Sequence, residues 1–460
     1  MAPVNATYRG LDYRVRAAFY ALTPHETYIE HVQDVPDLVL MTTPIVLALT
    51  LLEVLVLRAR GESHKFRLHN AVINYCTAVM NEAFRILIFR GVEFSAYVWV
   101  YKMCRLVSLS WNSHTTYLFG LLGVDLCAYW WHRASHEISL MWAAHYVHHS
   151  SEDFNSSVGA RLSITMRPFK WMYFLPLALL GLPPSAFLIH SQLNFVWGFW
   201  VHNEAFPKTH KLLPGLGHIV EYLVVTPSHH RVHHGNFWAN RYCIDKNYGM
   251  ALIIWDRLFG TFAEEREDEE IVYGTIEQKD NNHILGLQAD SWRELWGRIV
   301  SSKTSGDALR TVMYSPGWSA GQPRLGNSED IPDVRGRRKH QFASSSWLSV
   351  YLALHCFLVF LGYFEVASCK DKMEEWQSIL HLFYIFLAYG ALGGLYSAHQ
   401  SSAGLEPVRL VVYLTMCQLL PMFPSSSFTA YVSCINFVSL LLWPVVKSER
   451  FVMGDEMKKK

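Results

Sequence analysis

The sequence contains little charge for its length. Only 17% of the 460 residues are Asp, Glu, Lys or Arg, whereas 51% are hydrophobic and 14% are aromatic. This balance is more apolar than that of a typical soluble chain, so a membrane protein is the first hypothesis. Because the net charge is only +1, no overall field draws the chain to nucleic acid, and we expect no nucleic-acid partner.

Other familiar features are also absent. The eight cysteines form no C-x-x-C pair and no regular spacing, so nothing indicates a disulfide scaffold. Residues 1–16 lack the apolar core and the small-residue cleavage site of a signal peptide. There is no internal repeat and no haem-binding signature. Membrane insertion is therefore expected to depend on internal apolar runs.

Several such runs are present. The clearest covers residues 37–57, which at about 1.5 Å per residue reaches roughly 30 Å, the thickness of a hydrocarbon core. A basic linker follows it and favours the cytosolic side of the membrane. Runs at 114–131 and 169–189 are further predicted spans, whereas charges interrupt the weaker runs at 71–89 and 94–111. If one weak run crosses, the histidine clusters that follow face the cytosol.

The distribution of apolar runs predicts an all-α integral membrane protein in two parts. We expect a multi-span helical bundle with a histidine-rich metal site, followed by an appended C-terminal hydrophobic helical bundle. A polar stretch with Gly, Pro and Ser is interpreted as a partly flexible connector between them. The predicted divisions are an N-terminal segment (1–36), a histidine-rich membrane domain (37–263), the polar connector (264–345), the C-terminal transmembrane bundle (346–446) and a basic tail (447–460).

Histidines recur at helical spacing in two stretches. One is W-W-H-R-A-S-H-E-I-S-L-M-W-A-A-H-Y-V-H-H-S over residues 130–150, and the other is P-S-H-H-R-V-H-H-G over residues 227–235. Residues at i, i+3 and i+4 share one face of a helix, so each set presents its imidazoles together. The predicted metal ligands from these stretches are His132, His136, His145, His148, His149, His230, His233 and His234.

The chemistry of imidazole supports this interpretation. Neutral imidazole binds iron, zinc and copper, and one helical turn carries too few ligands for even one metal, so several turns must converge. On one straight helix, His136 and His145 would differ by about 900° and roughly 13 Å and would face opposite ways. We therefore predict a bend between them. An ordinary hydrogen-bonded role is expected for four other histidines: His64, His69, His210 and His218.

Three further residues are weaker candidates. His202 ends an apolar run and is predicted to be a ninth ligand, the alternative being an interfacial histidine. Asp125 lies seven residues before His132 on nearly the same helical face, where it could accept a hydrogen bond from a ligand imidazole. Its alternative is a buried acid bonded to a Tyr or Arg. His229 is a spare histidine expected just outside the ligand set.

At these residues the chain resembles the fatty acid hydroxylase superfamily, membrane di-iron enzymes that include sterol desaturases and sterol methyl oxidases. The similarity covers residues 125–264 and includes N-Y-G at 247–249 and W-D-R-L-F-G-T-F at 255–262. The wording H-Y-V-H-H-S-S-E-D-F-N and R-Y-C-I-D-K-N-Y-G, together with the C-terminal bundle, resembles the alkylglycerol monooxygenase family within it.

This resemblance implies a di-iron domain over residues 37–263 and a multi-pass protein of the endoplasmic reticulum. It implies two iron ions, O2, tetrahydrobiopterin as electron donor and an alkylglycerol as the lipid substrate. Hydroxylation of the alkyl carbon beside the ether oxygen would release a fatty aldehyde and glycerol. Glu137 matches a family position linked to the pterin, although by residue type it could equally be an acid behind the ligands. No catalytic residue is expected beyond the metal centre.

Two other functions are also compatible with these histidine motifs. One is a sterol or fatty-acyl hydroxylase or desaturase of the same superfamily, which would receive its electrons from another protein. The second is a zinc-binding membrane protein or transporter that uses the histidines without oxygen chemistry.

Overall fold

The computed structural model describes residues 10–85, 91–235, 240–275, 283–327, 329, 339, 346–369, 373–396, 404–419 and 425–445. Within these ranges the regular elements are helices, and extended segments meet only at two isolated bridges, Val224 with Leu252 and Gly235 with Tyr273. The predicted all-α class is therefore confirmed. The predicted basic tail, 447–460, lies outside the described residues.

The histidine-rich part contains a series of long and short helices. They are α1 (Leu11–Ala18), α2 (Leu38–Ala59), α3 (Leu68–Phe84), α4 (Val92–Cys104), α5 (His114–Glu137), α6 (Ser139–His149), α7 (Arg167–Lys170), α8 (Leu175–Leu179), α9 (Pro184–Val201), α10 (Thr209–Leu212), α11 (Leu216–Leu223), α12 (Pro227–His234) and α13 (Ile254–Leu258).

The rest of the chain adds further helices. They are α14 (Ile284–Val300), α15 (Ser305–Met313), α16 (Ser346–Cys369), α17 (Glu375–Tyr396), α18 (Leu405–Leu419) and α19 (Ser426–Leu441). The last four lie within the range 346–446 that was predicted for the C-terminal bundle.

Three described helical segments are long and apolar enough to cross a membrane. They are Val32–Ala59, which contains the predicted span 37–57, together with Trp347–Ser368 and Glu375–Tyr396. Their length and composition support the membrane class. The chain is therefore an integral membrane protein.

The predicted span at 169–189 is wrong as a single helix. Proline lies at the start of both α7 and α8, and the chain then turns at Gly181, whose φ of +84° is readily adopted only by glycine. The helix resumes as α9 after Pro183, whose extended backbone cannot continue a helix. The long helix of this region is thus α9, which ends at Val201, immediately before His202.

The described part of the polar connector includes two helices, α14 and α15, that its composition does not predict. Its helix α14 packs on α6 through Ser291, which donates to the carbonyl of Ala143 at 2.7 Å, and Gln288 holds the chain at Leu162. The C-terminal bundle also packs on the first part, because α3 and α14 share one apolar cluster with α16 and α17. The two hydrophobic parts are therefore in direct contact.

The bend predicted between the first two histidine sets is present. Helix α5 ends at Glu137, Ile138 adopts an extended conformation (φ −128°, ψ 117°), and α6 begins at Ser139. The Ser139 amide and hydroxyl both donate to the carbonyl of Tyr314, which fixes the corner. The break turns the two helices so that their histidines face each other.

Candidate metal centre

Nine buried histidines form two neighbouring groups. Within each group the potential ligand atoms all lie within 4.8 Å of one another. The first group, called here the five-histidine group, contains His132, His136, His145, His149 and His233. The second, called the four-histidine group, contains His148, His202, His230 and His234. The structure thus brings together all nine histidines that the sequence predicts as ligands.

The helical spacing explains how two groups arise from the same motifs. On α6, His145 and His149 are four residues apart and join the five-histidine group, whereas the adjacent His148 points into the other. On α12, His233 joins the first group while His230 and His234 join the second. Each H-x-x-H-H motif therefore serves both groups, which explains why they are adjacent.

The Nε2 atoms of the imidazoles converge at short distances. In the five-histidine group, Nε2 of His145 lies 3.2 Å from that of His132 and 3.2 Å from that of His149. In the four-histidine group, Nε2 of His202 lies 3.2 Å from that of His148, 3.0 Å from that of His234 and 2.9 Å from that of His230.

These contacts cannot all be hydrogen bonds, because a neutral imidazole has a single N–H donor. Moreover, both ring nitrogens of His136, Nε2 of His233 and Nδ1 of His145 are buried with no hydrogen-bond partner among the described residues. Buried polar atoms are normally paired. Convergent ring nitrogens without donors between them are the expected arrangement of a metal site, so the residues fit bound metal ions.

The protonation state also suits metal binding. Burial lowers the pKa of His148 to about 4 and that of His233 to about 3. Burial, together with the neighbouring imidazoles, likewise lowers the pKa of His145. At neutral pH these rings are therefore uncharged, and each retains a nitrogen lone pair for a metal.

Four of the histidines are oriented by backbone carbonyl groups. Nδ1 of His132 lies 2.8 Å from the carbonyl oxygen of Tyr248, and Nδ1 of His233 lies 2.9 Å from that of Lys246. In the four-histidine group, Nδ1 of His148 and of His202 meet the carbonyls of Arg161 and Gly198. Such contacts fix the tautomer with the proton on Nδ1 and direct Nε2 to the centre of its group.

Asp125 is a buried acid, as its alternative interpretation states, but its hydrogen-bond partners among the described residues are neither an imidazole nor a Tyr or Arg. Its carboxylate accepts hydrogen bonds from the backbone amides of Ala251 and Leu252 and from the side chains of Asn194 and Trp255. It thereby fixes the segment after Tyr248, whose carbonyl orients His132. Its partners lie far along the chain, which the local pattern around Asp125 cannot indicate.

His229 lies outside both groups. Its Nδ1 is 3.2 Å from the amide nitrogen of Thr226, and its carbonyl accepts from the Asn247 side chain at 3.0 Å. It therefore caps the first turn of α12 and supports the ligand helix from the backbone side.

Glu137 lies in the wall of a cavity of about 710 Å³ beside the five-histidine group. Its carboxylate is paired with Arg133, at 2.8 Å, and with Arg324 from the chain after α15. His136, His149 and His234 line the same cavity, as do Trp142 and Tyr146. The cavity thus places polar, aromatic and histidine side chains around one space that is large enough for a small molecule.

Comparison with known proteins adds the family. The fatty acid hydroxylase family model matches residues 117–261, which include all nine clustered histidines. The chain is 34% identical over 463 aligned positions to the alkylglycerol monooxygenase of Danio rerio, and the match covers 100% of both chains. The chain belongs to the alkylglycerol monooxygenase family. It is therefore a membrane oxidoreductase, and its two histidine groups have the composition and geometry to hold metal ions.

Other members of the alkylglycerol monooxygenase family give the same result. The human enzyme is 35% identical over 90% of each chain, and the Caenorhabditis elegans enzyme is 32% identical over 67% of this chain and 60% of its own. A more distant relative is the ornithine lipid hydroxylase OlsE of Rhizobium tropici, 30% identical over 33% of this chain. No solved structure gives a significant match.

Two acidic residues near the histidine groups were not predicted from the sequence. Asp245 lies in the cavity wall with Oδ1 3.9 Å from Nδ1 of His136, and burial raises its pKa to about 7. Glu53 of α2 accepts from the backbone amides of Ser156 and Glu204, the latter two residues after His202. An acid inside the apolar run 37–57 is an indication that could have identified Glu53.

Proposed function

We propose that this chain is a tetrahydrobiopterin-dependent di-iron alkylglycerol monooxygenase of the endoplasmic reticulum membrane. The observation that carries the proposal is the pair of adjacent histidine groups, together with the family to which the chain belongs. The pterin and the compartment come from the resemblance of the sequence to that family.

In this proposal each histidine group holds one iron ion. The five imidazoles of the first group exceed the four ligands of a tetrahedral zinc site, which favours iron with its higher coordination number. When bound, the two irons and the reduced pterin supply the O2 activation and the two electrons that no side chain of the protein can provide.

The protein itself positions the reactants. One oxygen atom of O2 is inserted into a C–H bond of the alkyl carbon beside the ether oxygen, while the other is reduced to water by two electrons and two protons from the pterin. The resulting hemiacetal breaks into a fatty aldehyde and glycerol. The cavity beside His136 and His149 offers a space in which an alkyl carbon can approach the ligand groups.

Glu137 is proposed to contact the pterin. It lies on the cavity wall, and its pairing with Arg133 and Arg324 holds the carboxylate in a fixed orientation. A carboxylate oxygen that already accepts one hydrogen bond has a second lone pair, which can accept from a ring N–H of a pterin. We expect Glu137→Gln to raise the KM for tetrahydrobiopterin while the metal content stays unchanged.

Turnover of an alkylglycerol by purified protein tests the function. We expect aldehyde formation and O2 consumption only when tetrahydrobiopterin is supplied. Turnover supported by a cytochrome and its reductase, without pterin, would contradict the pterin-dependent proposal in favour of the sterol or fatty-acyl alternative. Bound zinc with neither iron nor O2 consumption would instead favour the zinc protein.

A further inference from the structure

A short helical hairpin, formed by α10 and α11, carries an unusual number of exposed apolar side chains. Between 43% and 59% of each of six such side chains is exposed: Leu212, Leu213, Leu216, Ile219, Tyr222 and Leu223. In contrast, Glu221 on the other face of α11 pairs with His210 at 2.6 Å. A continuous apolar surface of this kind is rare on a face that contacts only water.

The hairpin lies at the level where a membrane span ends. The side chain of Arg60, one residue beyond the span Val32–Ala59, donates to the carbonyl of Ala205 at 2.8 Å. Lys65 forms an ion pair with Glu204 at 3.0 Å. Because α10 begins at Thr209, a few residues later, the hairpin is tied to the polar end of that span, where the lipid headgroups meet the hydrocarbon.

The apolar surface continues from the hairpin to the cavity. Arg257 lies over the ring of Tyr222 at 4.4 Å and donates to the Tyr222 carbonyl at 3.2 Å, which joins α13 to the end of α11. The next residue, Leu258, is 69% exposed, and Phe259 after it is partly exposed and lines the cavity. Phe259 therefore lies where the exposed apolar side chains reach the cavity wall.

A second apolar strip reaches the same point from α5. Leu118 and Leu122 are exposed four residues apart on α5, and Trp130 is exposed eight residues further along the same helix. Trp130 packs on Phe259, with ring centroids 4.9 Å apart. The outward face of α5 and the α10–α11 hairpin thus converge at the ring of Phe259.

We infer that the α10–α11 hairpin lies in the headgroup region of the bilayer, and that Trp130 and Phe259 form a doorway through which the alkyl chain of the substrate passes from the bilayer to the cavity. We assign the lipid bilayer to the apolar face of the hairpin because that face is continuous with the end of the span and with the apolar face of α5. The choice of an alkyl lipid as the passing molecule rests on the proposed function.

Photolabelling in lipid nanodiscs tests the location of the hairpin. A phospholipid with a diazirine on its acyl chain near the headgroup is expected to label residues 212–223. The control is α15, where Leu309 is 64% exposed, as much as the hairpin residues. Helix α15 is joined to the rest of the chain at Ser139, beyond the end of α5, through the carbonyl of Tyr314, and it should remain unlabelled. Labelling of α15 without the hairpin, or coverage of the hairpin by another protein segment, would overturn the inference.

A second probe tests the doorway. An alkylglycerol with a diazirine in its alkyl chain is expected to label Trp130 and residues 258–259, and excess unlabelled alkylglycerol should prevent this labelling. Labelling confined to other surfaces, or labelling that excess alkylglycerol does not reduce, would contradict the doorway. The phospholipid result does not depend on turnover, so it stands or falls separately from the proposed function.

A charged variant of the hairpin adds a kinetic test. We expect Leu216→Glu with Ile219→Glu to raise the apparent KM for a long-chain alkylglycerol in vesicles by about fivefold, because insertion of the apolar face is lost. The metal content and the kcat/KM for a short-chain, water-dissolved alkylglycerol should stay within about twofold of wild type, as should all values for Leu309→Glu. Equal KM values in vesicles for both variants would contradict the inference.

Discussion

Asp125 is the residue whose role differs most from the sequence interpretation. Its carboxylate accepts two backbone and two side-chain hydrogen bonds and is almost fully buried. An acid in an apolar run correctly indicates a special role. The spacing from His132 predicts only the helical face, however, and the partners of Asp125 come from residues 194 and 251–255, which no local pattern connects to it.

We expect Asp125→Asn to destabilise the protein and lower its metal content. The amide of Asn directs an N–H₂ group at donors, so at least two hydrogen bonds are lost, which costs about 2–4 kcal/mol in the free energy of unfolding. Thermal unfolding in detergent and metal analysis measure both effects. Asp12→Asn, a change at a carboxylate that is 80% exposed, is the control and should behave as wild type. Equal unfolding temperatures for the two variants would contradict this role of Asp125.

The ligand residues themselves are easier to predict than their supports. Histidine at i, i+3 and i+4 predicts shared helical faces from the local sequence alone, and the structure brings these side chains together. The backbone carbonyls of Tyr248 and Lys246, which orient two of the imidazoles, carry no sequence signal because every residue has one. Thus the donor set is visible in the sequence, whereas its orientation is a product of the fold.

At the scale of elements, rotation about one helix correctly predicts the break after α5. The same calculation is not available at 169–189, where Pro176, Gly181 and Pro183 divide an apolar run that composition alone presents as continuous. The consequence is functional, because the resulting α9 delivers His202 to the four-histidine group. The packing of α9 against the 3₁₀ turn Ser156–Ala160 determines the position of His202.

Gly159→Val is expected to disturb the four-histidine group. A Cβ at Gly159 would lie 3.0 Å from the Cα of Phe199 and 3.3 Å from Nδ1 of His202, so α9 must move away. We predict a lower metal content and at least about a tenfold loss of turnover, since small displacements at a site have large kinetic effects. Gly198→Ala on the same helix is the matched control, because its Cβ would meet only Met250, at 3.4 Å. Unchanged metal content in Gly159→Val would contradict this packing argument.

At the scale of the whole molecule, composition predicts a membrane protein with a separate C-terminal bundle. Composition does not predict how the two parts pack together. The contacts of α3 with α16 and α17 join positions far apart in the sequence, and an apolar residue does not by itself indicate which segment it packs against. The interior of the bundle also contains a buried polar network. Arg409 donates to both carboxylate oxygens of Glu406 and contacts Tyr384, Asn436 and His355.

We expect Glu406→Gln to destabilise the bundle strongly. It leaves the buried Arg409 charge without its counter-ion, and breaking such a pair typically costs about 3–5 kcal/mol. Replacement of both members, Glu406→Leu with Arg409→Met, should cost less because no charge remains. Thermal unfolding in detergent compares the two, and a double variant less stable than Glu406→Gln would contradict the prediction.

Metal analysis of purified protein tests most directly whether the two histidine groups hold the irons of an alkylglycerol monooxygenase. We predict about two iron ions per chain in the wild type, since each group forms one site. Iron and turnover should both be lost in His145→Ala and in His202→Ala, one from each group, and both should be kept in His114→Ala, which lies outside them. Zinc without iron, or full iron content and turnover in His145→Ala and His202→Ala, would show that the two histidine groups do not hold the irons.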